Sequence, residues 1–476
     1  MDRSADTLTP VRAIQPPLPF ERLRAWWDRF AAVVVSSRGG SGADHQTARL
    51  VRDLRQLIED SRTHRGGEIS ARERAWQVAD IYRGANLPER AAILNLITHE
   101  LAPDRVGLAT AIAELQAARG EIELGRAEAH LRLALDAARA TFLAQFNLLP
   151  DGVKFLVDLR SDLLGLLAHE PGLEVLKVEL DGLFERWFDP GFLELRRITW
   201  QSPAIVLEKL MAYEAVHPIV SWSDLRNRLD ADRRCYAFFH PRLPEEPLIF
   251  VEIALMKGMP DSVNALLDET APLQDPRAAD TAVFYSISNT QSGLRGISLG
   301  NLLLKRVIDD LHRDFPKLKL FTTLSPIPGF RKWLDAALAA KQELLPEADA
   351  ERLAAALGHP RPEIALAETL ARADWHRDAR CTEALRVPME KLCAHYLLRE
   401  KSGTQPRDQV AQFHLTNGAR VNRIVWLANS SERGLRQSYG MMVSYRYNPA
   451  NVDKNHDSFL KGGNIVVARR VQRLLG

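Results

Sequence analysis

The chain changes character at Asp189-Pro190-Gly191. Before this breaker cluster, apolar residues recur at helical spacing. After it come short runs rich in β-branched and aromatic residues. Two halves with different periods predict an α+β multidomain protein. We expect an N-terminal all-α helical domain over residues 1–188, followed by a mixed α/β domain over residues 189–476. At roughly 150 residues per domain, a 476-residue chain has room for two or three such units.

In the first half, Leu131, Leu135, Ala138 and Phe142 fall at i, i+4, i+7 and i+11, which predicts one helical face. Leu156, Leu159, Leu163 and Leu166 repeat the pattern, and Pro150-Asp151-Gly152 marks a turn before them. Arg90 to Leu101 and Leu108 to Gln116 are further amphipathic segments, and Ser36 to Gly42 reads as a Gly/Ser-rich flexible stretch. His, Cys and carboxylates are nowhere gathered at ligand spacing here. The expected role of this half is packing or self-association.

In the second half, Leu248 to Met256, Thr281 to Ser288 and Leu318 to Leu324 read as strands. Leu299 to Phe315 reads as a helix with Leu303, Val307 and Leu311 on one face, ended by Pro316. A mainly helical insertion is expected from Asp335 to Leu398. Strands return at Arg423 to Ala428 and Met441 to Tyr447.

Composition removes several classes. Lys and Arg number 63 against 61 Asp and Glu, a formal charge of +2. Nucleic-acid binding is therefore not expected, and any polyanion met by this chain should be small. Cys235, Cys381 and Cys393 are too few and too dispersed for a disulfide framework or a Cys-rich metal site, and read as buried or half-buried thiols. The first nineteen residues lack the apolar core of a secretory signal. No run approaches the ~18 apolar residues of a membrane span; Leu248 to Met256 is interrupted by Glu252. A cytoplasmic location and no membrane partner are expected.

Four segments could carry chemistry. Asn289 to Asn301 links a strand to a helix through Gly293, Gly296, Ser298 and Gly300. Small residues ahead of a helix N-terminus suit a phosphate, and they also suit a tight turn with no ligand. No Gly-Lys-Ser/Thr follows, so this is not a Walker loop. Ser325 ends a strand inside Leu324-Ser-Pro-Ile-Pro-Gly-Phe330, where two prolines and a glycine can fix a hydroxyl in one direction. His414 stands in Phe413-His-Leu-Thr-Asn-Gly418, between helix and strand. Tyr445 and Tyr447 alternate along the last strand, so both face one way, either as core aromatics or toward a site. Hydrolase elbows, His-Glu-x-x-His and Cys-x-x-Cys are absent from the sequence.

Arg295-x-x-Ser298-x-Gly300 resembles the pyrophosphate loop of the acetyltransferase-like (GNAT) fold, with serine in place of one glycine. Gly293-Leu-Arg-Gly-Ile-Ser-Leu-Gly-Asn301, Leu324 to Phe330, Phe413 to Ala419 and Ser444-Tyr-Arg-Tyr447 together resemble, in order, segments of the malonyl-CoA decarboxylase family. His217-Pro-Ile-Val and Cys235-Tyr-Ala-Phe-Phe-His-Pro extend the resemblance over most of the chain from about Phe192.

The resemblance implies a mixed α/β acetyltransferase-like (GNAT) catalytic domain behind an oligomerising helical one, giving a homo-oligomer, dimer or tetramer. It implies a carboxy-lyase of fatty acid metabolism that converts malonyl-CoA to acetyl-CoA and carbon dioxide with no metal or other cofactor. Carried over by motif, Ser325 and His414 are the catalytic pair. The coenzyme A would lie along Arg295, Gly296, Ile297, Ser298, Leu299, Gly300 and Asn301, with Tyr447 close to the acyl group. Many animal members carry glutamate where this chain has Ser298. Decarboxylation places charge on the thioester oxygen and needs an acid at C2. His414 is assigned as that donor, and Ser325 as the hydroxyl that orients the leaving carboxylate or accepts a proton. The alternatives are an acyl-CoA-dependent N-acetyltransferase and a non-catalytic acyl-CoA sensor.

Overall fold

A computed structural model describes residues 52–60, 68–135, 138–297 and 299–475, so the Ser36–Gly42 stretch and Ser298 lie outside the described residues. The chain divides into two units, one ending at Arg186 and one running from Trp187.

The first unit contains the helices Glu68–Gly84, Leu87–Glu100, Arg105–Ala117, Glu121–Leu135, Ala138–Gln145, Gly152–Leu166 and Glu174–Trp187. Leu87–Glu100 starts where it does because Asn86 and Glu89 form a reciprocal capping box and Pro88 occupies the first turn. The turn at Gly152 requires glycine, since a Cβ there would stand 1.6 Å from the Phe146 carbonyl oxygen. Buried Arg139 ties three helices together, donating to Glu179 and to the Thr98 carbonyl at 2.8 Å each.

The stripe expected from Leu131 to Phe142 is unevenly buried: Leu135 is exposed and Phe142 buried, and Asp136 and Ala137 between them lie outside the described residues. Ile122 and Leu133 fall on one side of the helix Glu121–Leu135 and Leu124, Leu131 and Leu135 on the other, so its apolar residues do not share one face, and only Ala127 is buried.

The second unit is built on a mixed sheet. Its strands are β1 (Glu194–Ile198), β2 (Arg233–Phe239), β3 (Ile249–Met256), β4 (Thr281–Asn289), β5 (Leu320–Thr323), β6 (Ser325–Pro326), β9 (Arg420–Val425) and β10 (Met442–Tyr447); β7 (Lys401–Ser402) and β8 (Gln405–Pro406) pair separately. The order is β1-β2-β3-β4-β5-β10-β6, with β9 also on β10. Neighbours are antiparallel except β4 and β5, which run parallel and are joined by the helix Leu299–Asp314. An antiparallel run that changes to a parallel pair at a helix crossover is the acetyltransferase-like arrangement that the motifs implied. The crossover helix buries Leu303, Val307 and Leu311, the stripe read from the sequence.

β1 and β2 carry no alternating signal. Every residue of β2, including Arg233 and Arg234, is buried, so period two is erased. Glu252, which breaks the apolar run of β3, is buried and accepts from Arg228 Nη1 at 3.0 Å; Arg228 also holds Asp224 at 2.7 Å. The helical insertion begins at Phe330 rather than Asp335, because the chain leaves Pro326 and Pro328 and Gly329 occupies the N-cap. It continues through Glu347–Leu357, Pro362–Ala371 and Ala379–Leu398. Cys235, Cys381 and Cys393 are buried and unpaired. Among the described residues, no helix is long and apolar enough to cross a membrane.

Candidate active site

β5 ends at Thr323, and past Leu324 the chain resumes as the two-residue strand β6, where Ser325 pairs with Val443 of β10. The Ser325 hydroxyl, 5% exposed, donates to Thr323 Oγ1 at 2.9 Å. Gly329 closes the turn against Tyr396, whose hydroxyl would stand 2.2 Å from any Cβ there. The backbone on both sides of Ser325 is thereby fixed.

His414 reaches the same point from the helix Gln409–Thr416, which starts on an Asp408 cap that accepts from the Ala411 amide. Its Nε2 lies 2.9 Å from Ser325 Oγ and its Nδ1 2.8 Å from the Tyr447 hydroxyl. The ring stacks on Tyr445, with centroids 4.4 Å apart and planes at 24°. Both tyrosines of the last strand thus face His414. With the Ser325 hydroxyl committed to Thr323, Nε2 carries the ring hydrogen and donates to Ser325, while Nδ1 accepts from Tyr447. Burial alone lowers the His414 pKa to about 3, so the ring is neutral at pH 7. The same desolvation pushes the Tyr447 phenol well up, which keeps it a donor.

Ser325 and His414 line a cavity of about 320 Å³ with Ser286, Tyr285, Val216 and Phe413. Behind one wall, the buried Glu214 carboxylate accepts from Ser286 at 2.8 Å and Ser288 at 3.1 Å, and from the His217 amide at 2.8 Å. Sequence reasoning missed this wall; its signal was two hydroxyls at spacing two inside the apolar strand β4. Thr323 was also missed, and a lone strand threonine gives no signal.

The glycine-rich turn lies beside this cluster. Its short turn Ser292–Leu294 leads into Arg295, exposed, then Gly296 at φ +91°, a conformation that favours glycine. Ile297 and Asn301 are half-buried, and Leu299 and Gly300 are buried in the first turn of the crossover helix. That turn leaves amides without intrahelical partners and carries the positive end of the helix dipole. A Cβ on Gly300 would stand 2.5 Å from the Phe413 ring, so this turn packs directly against the neighbour of His414. The structure brings together Ser325, His414, Tyr447 and the Gly300 end of the turn. Arg295 and Gly296 stand at its outer, exposed end.

Comparison with known proteins finds matches over both halves of the chain. Residues 191–476 match the model of the malonyl-CoA decarboxylase C-terminal domain, and residues 101–188 that of the N-terminal domain. The mitochondrial malonyl-CoA decarboxylase of Anser anser anser is 35% identical over 463 residues, covering 94% of this chain and 91% of its own. That of Mus musculus is 37% identical over 407 residues, 82% of each. Among solved structures, malonyl-CoA decarboxylase from Rhodopseudomonas palustris superposes with a TM-score of 0.77 at 38% identity, over 89% of this chain and 99% of that one. The Agrobacterium vitis enzyme gives 0.79 at 36% identity, over 89% and 100%. Fold, ordered motifs and full-length similarity converge, and the chain belongs to the malonyl-CoA decarboxylase family.

Proposed function

We propose that this protein decarboxylates malonyl-CoA to acetyl-CoA and carbon dioxide, with His414 as proton donor to C2 and Ser325 orienting the departing carboxylate. The observation that carries this reading is the hydrogen-bonded chain Tyr447–His414–Ser325 on the wall of a cavity beside the Gly300 turn.

In the free protein His414 is neutral. A malonyl carboxylate beside it would favour the imidazolium, because an opposite charge at close range raises a histidine pKa. The ring then takes up one proton as substrate binds and returns it to C2 as carbon dioxide leaves, which balances the single proton that decarboxylation consumes. Ser325, fixed by its turn and by Thr323, holds the carboxylate out of the thioester plane, so that the breaking bond overlaps the carbonyl π system. Tyr447 keeps Nδ1 engaged and Nε2 aimed at the substrate. Amides and small residues from Arg295 to Asn301 take the diphosphate, and binding this remote arm supplies positioning energy for the acyl end. No cofactor is required, since the thioester itself delocalises the developing charge.

We place the enzyme in the cytoplasm and in fatty acid metabolism, although the curated relatives are named mitochondrial; subcellular fractionation distinguishes the two. Self-association through the helical unit, as dimer or tetramer, is supported by exposed Val106, Ile122, Leu124, Leu133 and Leu135.

Mass spectrometry of malonyl-CoA incubated with the protein alone tests the activity. Acetyl-CoA should form with no second substrate, which an N-acetyltransferase would need and a sensor would not produce. His414→Asn should lower turnover by ~100-fold or more while coenzyme A still binds. Loss of binding instead would make His414 structural.

A further inference from the structure

The sheet face turned away from the crossover helix gathers several arginines. That helix packs on the face holding Phe321, whose ring centroid lies 4.6 Å from that of His312. Phe321 pairs with Tyr447, and Thr322 pairs with Arg446. Successive strand residues point to opposite faces, so Arg446 lies on the side away from Tyr447 and His414. On β9, Arg420 stands directly opposite Arg446. Like charges facing each other across a strand pair are destabilising, so this pairing calls for a counter-charge.

Among the described residues that counter-charge is not supplied to Arg420, Arg446 or Arg470. Arg470, on the short helix Arg469–Gln472, donates to the Asn422 carbonyl at 2.7 Å, which sets it beside the same strand end. Arg423 adds a fourth guanidinium and is bridged by Asp261, itself largely exposed. Among the described residues, Arg420, Arg446 and Arg470 have no acid within ion-pairing distance, and the buried Nε atoms of Arg420 and Arg446 have no acceptor. Burial and neighbouring guanidinium groups lower the pKa of Arg420, through Arg446, and of Arg470, through Arg423 and Arg420. Three elements thus converge charged donors on one place.

We propose that Arg420, Arg446 and Arg470 form a binding site for a compact phosphate-type oxyanion, separate from the thioester cavity. Guanidinium forks match the oxygens of such an anion and bind it by charge-assisted hydrogen bonds. The site is set apart from the chemistry along β10: Arg446 pairs beside Thr322 and Val443 beside Ser325, three residues or roughly 10 Å away, and on the opposite face. Occupancy would relieve the repulsion between β9 and β10, and β10 carries Tyr447. Phosphate bound here therefore stabilises the strand that aims His414.

Inorganic phosphate is the probe. Thermal midpoints are measured in phosphate and in chloride of matched ionic strength, with saturating coenzyme A in every sample to occupy the coenzyme's own phosphate loop. The wild type should gain about 2–4 °C in phosphate. Arg420→Gln and Arg446→Gln should each lose that gain, and in chloride should melt at or above the wild-type temperature, because repulsion has been removed. An equal phosphate gain in both variants, or no gain beyond chloride in the wild type, overturns the site. So does a fall of both variants in chloride, which would mean that the arginines already have partners inside the protein.

Discussion

Acid should unfold this protein partly through one imidazole. His414 is about 3% exposed, and burial lowers its pKa to about 3, against ~6.5 in an unfolded chain. Above pH 6.5 both states are neutral at this residue and nothing is lost. Below it, the unfolded chain binds a proton that the fold refuses, and stability falls by about 1.4 kcal/mol per pH unit until the folded pKa is reached. From pH 7 to pH 5 the loss is about 2 kcal/mol, a sizeable part of an ordinary domain stability of 5–15 kcal/mol.

Two other buried groups act over the same window. His217, lowered to about 4 chiefly by burial and secondarily by Arg228, adds a loss of similar size. Glu252, raised to about 8 by burial and by Glu214, works in the opposite sense, since its folded carboxyl takes up a proton first and gains stability as pH falls. The informative quantity is therefore a difference. Urea unfolding of the wild type and His414→Asn at pH 7 and pH 5 should show the gap between them shift by about 2 kcal/mol in favour of the variant at pH 5. A gap that stays constant within about 0.5 kcal/mol would mean that the ring is already protonated, or is reached by water in the folded state.

Tyr447→Phe removes the donor to Nδ1 and leaves a buried ring nitrogen unpaired. It should cost about 1–3 kcal/mol of stability and lower turnover more than substrate affinity, measured by unfolding and by kcat against KM. Gly300→Ala drives a methyl into the Phe413 ring, so coenzyme A affinity and turnover should fall together; isothermal titration showing unchanged affinity would place the diphosphate elsewhere. Arg228→Met leaves the buried Asp224 carboxylate without its partner and should destabilise the second unit by about 3–5 kcal/mol, read by chemical denaturation.

Where pattern and burial coincide, the fold could be read in advance. The Leu303, Val307 and Leu311 stripe is a true helix face, and β4, β5 and β10 carry enough β-branched and aromatic residues to be seen. β2 was invisible because burial on both faces removes alternation, and its two arginines argue locally against a strand. The stripe from Leu131 to Phe142 misled in the other direction, since helical phase alone does not show that a face is covered, and Leu135 is exposed. At the site, Ser325, His414 and Tyr447 were found through family motifs, as no local rule joins residues 89 and 33 positions apart. Glu214 and Thr323 could not be found that way: their partners lie on other strands or are ordinary hydroxyls, and only folding shows which of these meet.

The contact between Gly300 and Phe413 locks two distant segments of the chain together. This packing holds the first turn of the crossover helix in register with the imidazole one residue past Phe413. Positions 300 and 413 are consequently bound as a pair: a larger residue at 300 demands a smaller one at 413. Redesign for a bulkier acyl group has to open the cavity on its Ser286 and Val216 wall, leaving that seam as it stands.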